Sequence, residues 1–395
     1  MEAASHDRLA DVSGIAPSEF ESRRTMCADL ACERALGAIV VTDPGDLRYF
    51  IGHAGYTDLG ANPFSGPVGA ALVVAADGTG VFVVGQPEGS LIELDADRVE
   101  TRAYPTFTDL TSLRPRIRLA TGVAAALDEL AVAEIATIGF AGSSLPASVL
   151  EVLRGVRARA TFVDIDDAIG LLRMRKSPAE IALIRRSVEL CDAAQLAITR
   201  LATAGMTQAD VLDLARTTIE DACGVHVPMV LEAAYGSEAE GDGAHRELRN
   251  GDLLLTDVAP QIDGYWGDSC DTRFIGDPDP PERTMIRVIE EALTLGTETA
   301  RPGITADALD GIMRGHVGSR YPPYAGTGGH GVGLDYHESP RLIPGEEIVL
   351  EPGMVLAMEP GVYLDAATAR LEHVVHIVSG GCEVLSRHLE WHELY

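Results

Sequence analysis

Four acidic residues, Asp257, Asp268, Glu359 and Glu372, sit inside strand-like apolar runs of this 395-residue chain. A carboxylate between Leu, Ile and Val neighbours must be neutralised, paired or bound to a metal, because burying a lone charge is costly. Any fold for this sequence therefore has to answer these charges from within. Asp257 and Asp268 lie almost symmetrically about the Ile262-Asp263 turn, so an antiparallel hairpin sets them opposite each other on one face. Glu359 and Glu372 are almost symmetric about Asp365-Ala366, which offers the same geometry again. Like charges directly opposed repel. The four are either rim carboxylates at strand ends or two pairs with cations between them.

A histidine joins this set. The segment Gly326-Thr-Gly-Gly-His330-Gly-Val-Gly333 lets its backbone approach a neighbour closely, and His337 and Glu338 follow. It is not a GxGxxG turn after a strand, so it gives no phosphate-binding signal. One imidazole among four carboxylates is a mixed N/O donor set. Such a set suits Mn, Co, Fe or Zn as divalent ions, and four carboxylates can bridge two of them.

Around these residues the pattern divides in two. Residues 15–165 alternate helix and strand signals and read as an α/β domain. Ser18-Glu-Phe-Glu21 has the form of a capping box, Ala38–Thr42 of a buried strand, and Asp77-Gly78 of a hairpin turn between two apolar runs. A stronger helix start is Ser177-Pro-Ala-Glu180, with Ser at the N-cap, Pro at N1 and Glu at N3. Further helices are expected from Thr207, near 281–300 and from Thr305. Strands are expected at 253–257, 265–266, 354–358, 362–364 and 371–378. Residues 170–395 therefore read as a second, α+β domain with antiparallel hairpins.

Composition narrows the partners. The chain carries 31 Lys+Arg against 60 Asp+Glu, a formal charge of −29. That excess argues against nucleic acid or an anionic membrane surface. Lys176 is the only lysine. The N-terminus shows no secretory pattern, and no apolar run reaches the roughly 18 residues of a spanning helix. The six cysteines form no CxxC pair, which fits reduced thiols and a cytoplasmic location.

The motifs, taken in order, resemble a known family. Asp257-x10-Asp268, Gly329-His330-Gly331-Val332-Gly333 with His337, Met358-Glu359-Pro360-Gly361, and Arg370-Leu371-Glu372 are similar to the creatinase / Xaa-Pro aminopeptidase / methionine aminopeptidase superfamily of M24-type metallopeptidases. Residues 15–165 resemble its creatinase-type N-terminal domain, including Ala38–Pro44 and Leu47-Arg-Tyr-Phe50. The resemblance implies a C-terminal pita-bread domain preceded by a smaller α/β domain, an α+β chain overall, often as a homodimer. It also implies a hydrolase using two divalent metal ions. Carried over by position, Asp257 chelates one ion, Asp268 and Glu372 bridge both, and His330 and Glu359 complete the second. His337 meets the scissile carbonyl, Glu359 acts as general base, and Arg370 orients carboxylates.

The sequence departs from the family at instructive points. Family peptidases usually carry a histidine about 16 residues before the first aspartate ligand. Gly241 stands there, and His245 is four residues later. A second family histidine, four residues before the histidine ligand, is replaced by Gly326. Asp271 is either a surface charge or an acid supporting the site. Trp266 either walls a pocket or packs in its hairpin. His373 and His376 lie in a strand on opposite faces and read as structural. The leading expectation is an Xaa-Pro peptidase acting on small peptides. The alternatives are a hydrolase or lyase of small non-peptide amides, and a non-catalytic binding module.

Overall fold

The computed structural model describes residues 14–53, 69–86, 97–105, 115–235, 246–276, 280–364 and 367–388. The chain divides into two compact units, one of Ile15–Arg173 and one that includes Met174–Tyr395. Among the described residues no helix is long and apolar enough to cross a membrane.

The first unit holds α1 (Pro17–Glu33), β1 (Ala38–Val41), α2 (Pro44–Ile51), β2 (Ala70–Ala75), β3 (Gly80–Gln86), β4 (Val99–Pro105), α3 (Pro115–Glu129), β5 (Thr137–Phe140), α4 (Ala147–Val156), β6 (Thr161–Asp164) and α5 (Asp166–Arg173). Its six strands form one sheet in the order β4-β3-β2-β1-β5-β6. β1 to β3 are antiparallel, with β2 and β3 joined at the Asp77-Gly78 turn, and the β1–β5, β5–β6 and β3–β4 pairs are parallel. The all-apolar β1 and β2 are buried along their length, as central strands of a covered sheet should be. One expectation fails here. α1 starts at Pro17 with Ala16 at the N-cap and no side-chain cap, so Ser18-x-x-Glu21 is not a capping box. Proline at the first helical position sets the start instead.

The second unit holds α6 (Pro178–Leu201), α7 (Gln208–Cys223), β7 (Met229–Tyr235), β8 (Leu253–Ile262), β9 (Tyr265–Trp266), β10 (Cys270–Phe274), α8 (Pro280–Thr299), α9 (Ala306–Gly318), β11 (Gly329–Gly331), β12 (Glu338–Arg341), β13 (Val355–Met358), β14 (Gly361–Leu364), β15 (Ala367–Arg370), β16 (His373–Val378) and β17 (Gly381–Val384). The caps fall where the sequence puts them. Ser177 and Glu180 form a reciprocal capping box on α6, Thr207 and Asp210 form one on α7, and Thr305 caps α9. β8 lies between β10 and β7, with β9 folded back on β8. A five-stranded sheet runs β12-β11-β13-β16-β17, and β14 pairs β15. The pairings within this unit are antiparallel.

Two hairpin expectations are refined by register. β8 and β10 pair Asp257 with Cys270, so Asp268 is not directly opposite Asp257. The turn is Asp263-Gly264, both at positive φ, one position later than symmetry suggests. Asp268 therefore stands two residues along from Asp257's partner, on the same face. In the other hairpin, Met358↔His373 and Gly361↔Arg370 share one register, which sets Glu359 across from Glu372. Both lie in the gap between the two ladders rather than inside one continuous strand.

Candidate metal centre

The local fold explains how the four carboxylates meet. Gln195, fully buried on α6, accepts from the Thr256 hydroxyl at 2.8 Å and donates to the Ser269 carbonyl at 3.2 Å. Those are the neighbours of Asp257 and Asp268, so one helix side chain sets both. A Cβ at Gly267 would lie 2.6 Å from the Ser187 backbone, so only glycine lets the hairpin sit this close to α6. The Thr272 hydroxyl on β10 donates to the Arg370 carbonyl at 2.8 Å and accepts from its N–H at 3.0 Å. This bond joins the first hairpin to the second, two residues from Glu372.

β11 delivers the histidine. It is threaded between β12 and β13, pairing His330 with Arg341 and Ala357. A Cβ at Gly329 would fall 2.0 Å from the Ala357 carbonyl oxygen, and one at Gly331 2.4 Å from the Ser339 carbonyl oxygen. The glycines on either side of His330 are therefore demanded by strand spacing. The Glu359 N–H donates to the Gly328 carbonyl at 2.9 Å, which fixes the next carboxylate beside the same loop.

The result is a buried acidic cluster. Asp257, Asp268 and Glu372 present ligand atoms within 4.8 Å of one another, and all three are buried. His330 Nε2 lies 3.5 Å from Asp268 Oδ2 and 3.8 Å from Glu359 Oε1. Asp268 thus faces both groups. Arg370 donates to Asp257 Oδ2 and has its Nε 3.5 Å from Glu359 Oε2. Tyr336 approaches Asp257 Oδ1 at 3.3 Å. The His337 ring sits 4.2 Å from that of His330, on the more exposed side.

The electrostatics show that the protein alone does not satisfy this site. Burial, reinforced by the facing charges of Glu372, Asp257 and Glu359, holds the Asp268 carboxyl well above its usual range. Burial and the charges of Asp257 and Glu359 do the same to Glu372. Burial raises Glu359 to about 7, and raises Asp257 against the opposing pull of Arg370. Burial also lowers His330 to about 4, so its ring is neutral. Its Nδ1 is 3.0 Å from the Gly331 carbonyl, which can only accept. The proton is therefore on Nδ1, and the Nε2 lone pair faces carboxylates. Asp268 Oδ1 and Glu372 Oε1 are buried without a hydrogen-bond partner. Lone pairs aimed at lone pairs in a buried site call for a proton or a cation between them, and an O-rich set with one imidazole fits divalent ions of the Mn, Co, Fe or Zn kind.

Comparison with known proteins agrees with this chemistry. The profile of metallopeptidase family M24 matches residues 182–379, and that of the creatinase/prolidase N-terminal domain matches residues 23–175. The chain belongs to metallopeptidase family M24. It is by that membership a hydrolytic enzyme, in the two-domain creatinase-type architecture with a C-terminal pita-bread domain. It is 30% identical over 252 residues to an Xaa-Pro dipeptidase of Pyrococcus horikoshii, an alignment covering 62% of this chain and 72% of the relative. Among solved structures, the dipeptidase PepE of Mycobacterium ulcerans superposes with a TM-score of 0.79 at 25% identity, covering 94% of this chain and 97% of that one. The prolidase of Pyrococcus horikoshii superposes with a TM-score of 0.77 at 23% identity, covering 93% and 98%, and shares the fold.

Within this M24 chain the remaining residues singled out by sequence scatter. Asp271 is fully buried and paired with Arg273 at 2.6 Å, so it is not a surface charge. Trp266 lies against Tyr336, ring centroids 5.7 Å apart. His373 contacts the Ser386 hydroxyl and His376 faces Glu383, and neither is part of the carboxylate cluster; His388, which the sequence did not mark, is buried on Asp192. Gly241 and His245 lie outside the described residues. A Cβ at Gly326 would meet nothing within 4 Å, so the histidine absent there is not excluded by space. Sequence reasoning missed Gln195 and Tyr336. The signal for Gln195 was a polar residue on the apolar stripe of α6; for Tyr336 there was none beyond its place beside His337.

Proposed function

We propose that this chain is a dinuclear metal-dependent dipeptidase for Xaa-Pro peptides, with Asp257, Asp268, His330, Glu359 and Glu372 as the metal ligands. The observation that carries the reading is the convergence of four buried carboxylates and a neutral imidazole lone pair with no protein counter-charge sufficient for them. Asp257, Asp268 and Glu372 would hold one ion, and Asp268, His330, Glu359 and Glu372 the other. The ions, when bound, supply Lewis-acid polarisation of a carbonyl and acidify water.

The protein's own groups complete the chemistry. Glu359 Oε accepts the proton of the attacking water as general base. His337, whose pKa is lowered by burial and by Arg370, stays neutral and donates an N–H to the carbonyl oxygen as charge builds there. Arg370 holds the Asp257 and Glu359 carboxylates in orientation. Amide and water become carboxylate and amine. Manganese is proposed as the native metal on the oxygen-rich donor set. The cysteines among the described residues are unpaired, which supports a cytoplasmic enzyme, and the family resemblance supports a homodimer.

The residue Gly241 favours one second reading. A site lacking the peptidase histidine there suits a small non-peptide amide. A panel of Xaa-Pro dipeptides and small N-acyl amides, assayed with added Mn²⁺, separates the two. Turnover of Xaa-Pro dipeptides supports the first; failure on every one of them, with turnover of an amide, overturns it.

A further inference from the structure

We propose that Tyr336 is a positioning residue that couples the Asp257 end of the carboxylate array to His337. The inference rests on the metal-centre reading above and adds a residue which that reading does not use. Four contacts of its side chain carry it. The Tyr336 hydroxyl reaches Asp257 Oδ1 at 3.3 Å, while Arg370 donates to the other oxygen of the same carboxylate. The phenol ring stacks on the His337 imidazole, centroids 4.4 Å apart and planes 25° apart. Its other neighbours are His330, edge-on at 6.1 Å, and Trp266, tilted at 5.7 Å. One side chain thus touches a proposed ligand at its tip and the proposed carbonyl-binding histidine on its face.

The loop that carries Tyr336 is pinned on both sides, so the contact is built rather than incidental. The Trp266 backbone N–H donates to the Gly333 carbonyl at 2.8 Å. The Asp335 N–H donates to Glu338 Oε1 at 3.1 Å, and Glu338 Oε2 is paired at 2.8 Å with Lys176 in the interior. The chain's only lysine is therefore committed to holding this loop. With its backbone fixed, the phenol leaves Asp257 little freedom to rotate, and a carboxylate clamped by two donors keeps its remaining lone pairs aimed toward Asp268 and Glu372. The stacked ring limits how far His337 can swing outward.

The test separates tip from face. Chelator-stripped full-length protein, wild type, Tyr336→Phe and Tyr336→Leu, is titrated with Mn²⁺ by calorimetry, and kcat and KM are measured on an Xaa-Pro dipeptide. Phe keeps the ring and loses the hydroxyl. It is expected to weaken one Mn²⁺ binding event by about tenfold or more and to leave the other in place. Excess Mn²⁺ is expected to restore most of its turnover. Leu also loses the stack, so its kcat is expected to stay low in excess Mn²⁺ with KM little changed, since His337 acts as charge develops. Wild-type Mn²⁺ affinities in Tyr336→Phe, or equal rescue of both variants, would overturn the proposal while leaving the metal centre standing. Absence of Mn²⁺ binding by the wild type would instead sink the metal-centre reading, and this inference with it.

Discussion

Asp268 sits at the focus of the site, facing Glu372, Asp257 and His330 from a position of 1% exposure. Its charge opposes the fold when no cation is present, because desolvation of an unpaired carboxylate costs several kcal/mol. Asp268→Asn keeps the shape and removes the charge. We expect it to lower Mn²⁺ affinity by more than about a hundredfold, beyond the loss of an outer partner. Activity should fall with it, while the melting temperature of the metal-free protein rises. A metal-free variant less stable than wild type would show that the charge is answered inside the protein. The sequence made these four acids conspicuous because a charge in an apolar run breaks pattern. Gln195 breaks the apolar stripe of α6 without naming its partner, Tyr336 and Asp192 break no pattern, and the partners of the three lie 61, 79 and 196 residues away. Only the folded chain brings such pairs together.

Among the elements, β11 is the most constrained. It has three residues, two of them glycine, and it lies between two strands that leave no room for a Cβ. Gly331→Ala would force a methyl group against the Ser339 carbonyl. We expect it to cost about 1–3 kcal/mol of stability as overpacking. It should also cut Mn²⁺ affinity by displacing His330, whereas Gly345→Ala, with open space around it but positive φ, should lower stability without touching the metal. Thermal melts and Mn²⁺ titration of the two variants check this. Element types were legible where caps and turns are chemical: Ser177, Thr207 and Thr305 open helices, and Asp77-Gly78 closes a hairpin. Registers were less so. Symmetry about a turn placed Glu359 and Glu372 correctly across from each other, but missed by two residues for Asp257 and Asp268. The turn near Asp263-Gly264 is expected from its residue types and is where the chain turns, one position beyond the midpoint of the two aspartates, so symmetry about that midpoint gave the wrong register.

For the whole molecule the charge of −29 has two parts. Among the described residues one part of the acid stays in contact with water, some of it paired, as Asp213 is with Arg216 and Glu383 with Arg185. Such pairs are screened by water and decide little. The buried four decide how stability depends on pH. An acid whose folded-state pKa is raised binds its proton more tightly in the native state. The contribution of Glu359 to metal-free stability is then fully present below about 4.5, the ordinary glutamate range, and is lost as pH rises through the value of about 7 that it holds in the fold. Divalent cations should reverse this trend. The increase in melting temperature caused by Mn²⁺ is expected to be larger near pH 8 than near pH 5, about the span of that titration. An increase independent of pH would point to cations bound elsewhere.

The most direct test of the metal centre is a count. Full-length protein is stripped with chelator, reconstituted with Mn²⁺, and analysed for bound metal and Xaa-Pro dipeptide hydrolysis in the same samples. We expect about two ions per chain, activity abolished on stripping and regained on reconstitution, and neither the ion count nor the activity in Asp268→Asn. Full activity in the stripped protein, or reconstituted protein that binds no metal, would contradict a dinuclear metal centre.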